Sequence, residues 1–84
     1  MNFVSLIGKL KGVDDNHYRY LEVARPDSAT TAENLLIPCK YWTLDNSNLL
    51  TSLKEGTMLV IRGRIEQDST IGVFVLVENV TVVK

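Results

Sequence analysis

Residues 54–65, Lys54-Glu55-Gly56-Thr57-Met58-Leu59-Val60-Ile61-Arg62-Gly63-Arg64-Ile65, decide how this chain folds. A glycine turn leads into a segment of alternating character. Leu59, Ile61, Gly63 and Ile65 share one parity; Met58, Val60, Arg62 and Arg64 share the other. Side chains of a strand point alternately to its two sides, so one face is apolar and the opposite face ends in two arginines. Gly63 falls among the inward positions, where a missing side chain marks a bend or a close backbone approach. A bent strand with a dry concave side and a basic convex side suits a small barrel that carries a polyanion. Mixed surface charge is ordinary, so two arginines alone leave a plain solvated face open as well.

On the N-terminal side of this strand the pattern predicts one helix, about 46–54. Asp45 or Ser47 can cap it; Leu49, Leu50 and Leu53 form a short apolar stripe; Lys54 lies in the last turn and Gly56 follows. Three strands precede it. The first, about 2–11, alternates Val4, Leu6, Gly8 and Leu10 against Phe3, Ser5, Ile7, Lys9 and Lys11. The second, about 18–25, turns Leu21 and Val23 inward and Tyr18, Tyr20 and Glu22 outward. Arg19 and Arg25 share the inward parity but stand near the strand ends, within reach of the rim. The third, about 34–43, sets Leu35, Ile37, Cys39 and Tyr41 opposite Leu36, Pro38, Lys40 and Trp42. Pro38 cannot donate to a ladder, which places this strand locally at an edge or a bulge. A turn at 12–16 and a polar loop at 26–33 separate these strands. Beyond the deciding strand, 67–72 reads as a short loop. A fifth strand, about 73–83, is apolar on both sides, with Val73, Val75 and Val77 against Phe74, Leu76 and Val80.

Three strands, a short helix and two further strands is the order of the all-β, five-stranded Greek-key barrel called the OB fold. Five purely antiparallel strands would also permit an SH3-like barrel; the helix between strands three and four favours the OB fold. The 84 residues make one domain, 1–84, near the lower end of chains that fold unaided. No apolar run approaches the roughly 18 residues of a membrane-spanning helix, and the start lacks the charged leader of a signal peptide. One cysteine and one histidine exclude an internal disulfide and any ordinary zinc site, so no cofactor is expected. A reducing cytoplasmic compartment fits. Cys39 reads as a small buried hydrophobe and His17 as a solvent-exposed turn residue. No Ser/His/Asp set, carboxylate pair or phosphate loop can be assembled, which leaves an enzyme and a small-molecule substrate without support.

The net charge of −1 argues by itself against a nucleic-acid protein. Its distribution argues the other way. Lys9, Lys11, Arg19, Arg25, Lys40, Arg62 and Arg64 fall in expected strands, against Glu22, Glu66 and Glu78; the remaining acids fall in turns or at helix ends. Asp favours turns for reasons unrelated to function, so this segregation is suggestive only.

The opening Met1-Asn2-Phe3-Val4-Ser5-Leu6-Ile7-Gly8-Lys9-Leu10 resembles the N-terminal strand of bacterial single-stranded-DNA-binding proteins, with its Asn-x-hydrophobic run ending in Gly-x-Leu. Cys39-Lys40-Tyr41-Trp42 is similar to that family's third strand, where an aromatic stacks a base. Leu53-Lys54-Glu55-Gly56-Thr57 and Val60-Ile61-Arg62-Gly63-Arg64-Ile65 resemble its Lys-Gly-Ser/Thr turn and fourth strand, and 73–83 its apolar last strand. No single motif is specific; their joint order is. The departures are several. Only Trp42 falls on a family tryptophan position, Leu36 and Pro38 replace an aromatic and a basic residue, and the wrapping loop between strands four and five is reduced to 67–72. The chain stops at Lys84 without the acidic tail that recruits repair and replication proteins, so the expectation is a smaller footprint, weaker affinity and no tail-mediated recruitment.

Binding single strands without sequence preference needs flat aromatic faces for bases and cations for phosphates. Trp42 is the first candidate, beside Lys40 on the same face; covering a barrel end or an oligomer contact are its alternatives. Tyr18 and Tyr20 offer further stacking, although tyrosines suit exposed strands for sheet-forming reasons alone. Arg62 and Arg64 can contact phosphates, and Lys9 and Lys11 are weaker candidates because the family's first strand often pairs across a dimer. Phe3, Ser5 and Ile7 make an outward face too apolar for a solvated edge, which points to a homodimer or homotetramer. The expected function is therefore cytoplasmic, nucleoid-associated binding of single-stranded DNA in replication, recombination or repair. A primosome-type paralogue that docks replication proteins, an RNA-binding OB module and a structural oligomerisation subunit are the alternatives.

Overall fold

The structure, a computed structural model, describes residues 1–13, 18–24, 34–43 and 49–83. Among them are five strands and one short helix: β1 (Val4–Val13), β2 (Arg19–Val23), β3 (Leu35–Tyr41), α1 (Leu49–Ser52), β4 (Met58–Asp68) and β5 (Gly72–Val82). His17, Arg25, the loop at 26–33 and the capping candidates Asp45 and Ser47 lie outside the described residues.

The strands close into a barrel in the order β1-β2-β3-β5-β4, with β4 returning to β1. Four of the five seams are antiparallel, while β3 and β5 run parallel. That parallel seam removes the purely antiparallel alternative. The barrel is an OB fold. Among the described residues, β3 up to Pro38 has only β2 beside it, because pairing with β5 begins at Cys39 opposite Val75. The proline therefore occupies a locally free edge, where its missing N–H breaks no ladder.

The alternation read from the sequence fills the interior. Leu10, Leu21, Cys39, Leu59, Ile61, Val75 and Val77 point inward and are buried, and Leu50 of α1 joins them. Ile65, given the same inward parity, stands beyond the packed interior and is partly exposed. At the turn, Thr57 N–H and Oγ1 both donate to the Lys54 carbonyl, and Gly56 takes φ +92°, a left-handed conformation that glycine adopts without steric cost. Gly56 N–H donates to the Leu10 carbonyl at 2.6 Å and Leu10 N–H to the Thr57 carbonyl, tying the turn to β1.

Gly63 is where the deciding strand bends. A Cβ there would lie 2.0 Å from the Leu76 carbonyl oxygen, a clash no other residue escapes. The ladder shifts at the same place: Arg62 pairs with Asn79 and Gly63 with Val77, which leaves Glu78 as an extra residue. The bulge reverses parity downstream, so Val80 pairs with Ile61 and packs on the core rather than sharing the outer face of Phe74 and Leu76.

Arg19 departs from expectation in the opposite sense. Instead of reaching the rim it is 4% exposed. Its Nε donates to the Lys11 carbonyl at 2.8 Å, and its Nη1 to the Leu50 and Leu53 carbonyls at 3.0 and 2.9 Å. The last carbonyls of a helix look beyond its own ladder for donors, and here a forked guanidinium serves several together. Burial lowers the Arg19 pKa and nearby Glu55 opposes that shift; guanidinium remains charged throughout.

Candidate nucleic-acid interface

The outer wall of β2, β3 and β5 gathers the aromatic candidates. Tyr20 pairs with Pro38 across β2 and β3, and Lys40 pairs with Leu76 across β3 and β5. Trp42 follows β3 directly. Its N–H donates to the Val77 carbonyl at 2.9 Å, which fixes the backbone, while the side chain is 58% exposed. Its ring lies 6.1 Å from that of Tyr41, tilted by 38°. An indole anchored at its backbone and open at its ring can accept a base.

Tyr18 was expected to be a second such platform, but it is 3% exposed. It keeps the parity of Tyr20, but its ring meets Phe74 edge-on, with centroids 5.2 Å apart and planes at 75°, and the Lys40 ammonium lies 5.5 Å above its centroid. A base therefore has no access to Tyr18 in this conformation. Tyr20 is half-buried. Phe74 was not singled out as a candidate, because a strand apolar on both faces gives no cue to which face is wetter. Its position two residues before Leu76, on the parity away from Val75 and Val77, is the signal that could have found it.

The basic candidates separate. Arg64 pairs in register with Leu76, the partner of Lys40, so Arg64 and Lys40 share a lateral row two strand spacings apart, about 10 Å. Arg64 Nε lies 2.8 Å from Glu66 Oε2, an exposed ion pair that contributes about 0–1 kcal/mol and so yields readily to a phosphate. Arg62 belongs elsewhere: it pairs with Ser5 on one side and Asn79 on the other. It lines a hollow of ≈ 350 Å³ with Phe3, Ser5 and Glu78, among the residues expected at an oligomer contact. Lys9 is exposed and sits between Glu22 and Met58, and Lys11 is half-buried. Phe3 is 84% exposed, with Ser5 and Ile7 exposed beside it.

At the β4–β5 tip the expected six-residue loop contracts to Ser69, Thr70 and Ile71. Asp68 Oδ1 accepts from Thr70 N–H at 2.7 Å and Ile71 N–H at 3.2 Å. These amide bonds, helped by the charge of Lys40, hold the Asp68 carboxyl below its ordinary pKa. Burial pushes the Cys39 thiol up to about 12, which leaves it an unreactive packing group. Among the described residues no cluster of His, Cys, Asp and Glu could hold a metal ion, and no helix is long and apolar enough to cross a membrane.

No known family model matches the sequence, and no curated protein matches it either. Solved structures share the architecture. The OBody NL8, bound to hen egg-white lysozyme, superposes with a TM-score of 0.61 at 14% identity, over 100% of this chain and 96% of its own. The N-terminal domain of PriB from Thermoanaerobacter tencongensis, a dimeric structure, does so with a TM-score of 0.58 at 22% identity, over 99% and 97%. At these identities the likeness establishes the fold alone.

Proposed function

We propose that this barrel is a non-catalytic binder of single-stranded DNA without sequence preference, acting in replication, recombination or repair. Trp42 stacks a base while Lys40, Arg64 and Lys11 each neutralise a phosphate; Tyr20 flanks the path. The observation that carries this reading is the open indole two residues from an ammonium on the same outer wall. Stacking on an aromatic contributes about 1–3 kcal/mol per base and tolerates any sequence. Phe3, Ser5 and Ile7 support self-association, as does the dimeric state of the PriB neighbour.

Titration with 30-nucleotide poly-dT tests the reading. Trp42 fluorescence is quenched, and three neutralised phosphates give a slope of log K against log salt of about −2, using ~0.7 per phosphate for single strands. Absence of both quenching and salt dependence removes it. Matched rU oligomers decide between DNA and RNA, since stacking does not distinguish the sugars.

A second reading, docking of replication proteins, draws on the near-neutral charge and on Arg64 being already paired with Glu66. The OBody gripping lysozyme is a precedent for a barrel of this kind holding a protein. Tighter retention of a helicase or primase than of DNA would favour it.

A further inference from the structure

We propose that Tyr18, braced by Phe74, is a positioning residue that holds the Lys40 ammonium ready for a phosphate. The proposal rests on the DNA-binding reading above. Tyr18 and Phe74 are both buried, at 3% and 9% exposure, yet neither belongs to the core cluster inside the barrel. Both sit on the outer parity of their strands, so they form an aromatic layer outside the barrel wall rather than part of its filling. The edge-on contact at 75° fixes the plane of the tyrosine ring. Lys40 lies over that ring with its Nζ 5.5 Å from the centroid, within the range where a ring quadrupole attracts a cation.

The consequence for binding follows from the lysine itself. Its four-carbon stem is flexible, and ordering it when a ligand arrives subtracts from affinity. A cation already stationed over a fixed ring has met that cost in the free protein. Its carboxylate neighbour does not consume it. Asp68 lowers its own pKa partly through the Lys40 charge, but its Oδ1 accepts from two backbone amides, and Lys40 forms no ion pair among the described residues. An incoming phosphate therefore finds an oriented ammonium, two residues along the chain from the Trp42 indole.

Four variants titrated with the same dT oligomer separate the roles. Tyr18→Leu weakens binding about fivefold, and Tyr18→Phe, which keeps the ring, stays within about twofold. Lys40→Ala weakens binding about tenfold and makes the salt slope shallower by ~0.7. The double variant Tyr18→Leu/Lys40→Ala binds no more weakly than Lys40→Ala, because Tyr18 acts only through Lys40. Additive losses, or a Tyr18→Leu protein that binds like the parent while Lys40→Ala does not, overturn the proposal. If Tyr18→Leu fails to fold, the unaltered protein decides: the Lys40 side-chain methylene protons show an upfield ring-current shift before DNA is added, and their absence at shifted positions overturns it. If the parent protein binds no DNA while that shift is present, the DNA reading has failed and the ring–ammonium geometry has not.

Discussion

The wall of β2, β3 and the first half of β5 carries aromatic rings and a lysine: Tyr18, Tyr20, Phe74, Lys40 and Trp42. The wall of β1, the first half of β4 and the end of β5 carries Phe3, Ser5 and Ile7 with Arg62, bordered by Glu78. Both arise from the same alternation of strand side chains, and both would look basic and partly apolar in a linear inspection. Their chemistry differs because of neighbours. On the first wall the cation lies over a ring; on the second, the arginine shares its hollow with Phe3 and a carboxylate. Both walls hold carboxylates as well: Glu66 pairs with Arg64 and the Asp68 charge interacts with Lys40 on the first, and Glu78 lines the hollow of Arg62 on the second. Under the function proposed above, the first wall takes the nucleic-acid strand and the second a copy of the chain.

The corner between the walls is Gly63 with the extra residue Glu78. Gly63→Ala should break both surfaces together, because the new methyl meets the Leu76 carbonyl backbone. A loss of about 3 kcal/mol, or about 15 °C in Tm, is expected by thermal unfolding. The next contrast separates the walls. Trp42→Ala should cost about 2 kcal/mol in dT affinity, some thirtyfold, with no change of mass in solution. Ile7→Asp should do the reverse, releasing monomers while short dT oligomers bind within about twofold, as a surface change away from their path would allow. If Ile7→Asp also abolishes binding of short oligomers, the two walls are one site.

The arginines sharpen the division. Arg64→Ala should make the salt slope shallower by ~0.7 while Arg62→Ala leaves it unchanged, as measured in parallel salt titrations. The smallest effect is at the hairpin tip. Asp68→Asn removes a negative charge near Lys40 but keeps the Oδ1 that accepts from Thr70 and Ile71, so affinity should rise about twofold. Acidification acts differently. The folded-state pKa of Asp68 lies below the ordinary 3.8. Its contribution to the turn is thus complete above the unfolded value and is lost only as pH falls through the lower, folded one. Affinity should therefore not vary through Asp68 between roughly pH 5 and 8.

Element order and inward faces were legible because period-two alternation is a local property: Leu10, Cys39, Leu59 and Ile61 are buried as their parity assigns, and towards the strand ends, as at Leu35, the inward face opens to solvent. What was not legible depends on what lies across the sheet. Val80 switches faces because of a bulge at Glu78, which no glycine or proline beside it in β5 announces. Tyr18 has the outward parity read from the sequence, but outward is not exposed once Phe74 and Lys40 cover it. Arg19 has inward parity and was assigned to the rim, since its role as a cap for α1 requires knowing that the helix ends over that end of the barrel. Arg62 could be grouped with Ser5 only once β4 was known to close onto β1.

The parallel contact between β3 and β5 rests on three residue pairs, from Cys39 with Val75 to Tyr41 with Val77. So short a ladder opens more readily than a long one, and deuterium should reach the Trp42 amide before those of the longer β4–β5 hairpin. A strand of nucleotides laid from Trp42 towards Arg64 crosses that joint like a strap over a split. Occupancy would then fasten the molecule at one of its short joints, and protection of that amide would rise.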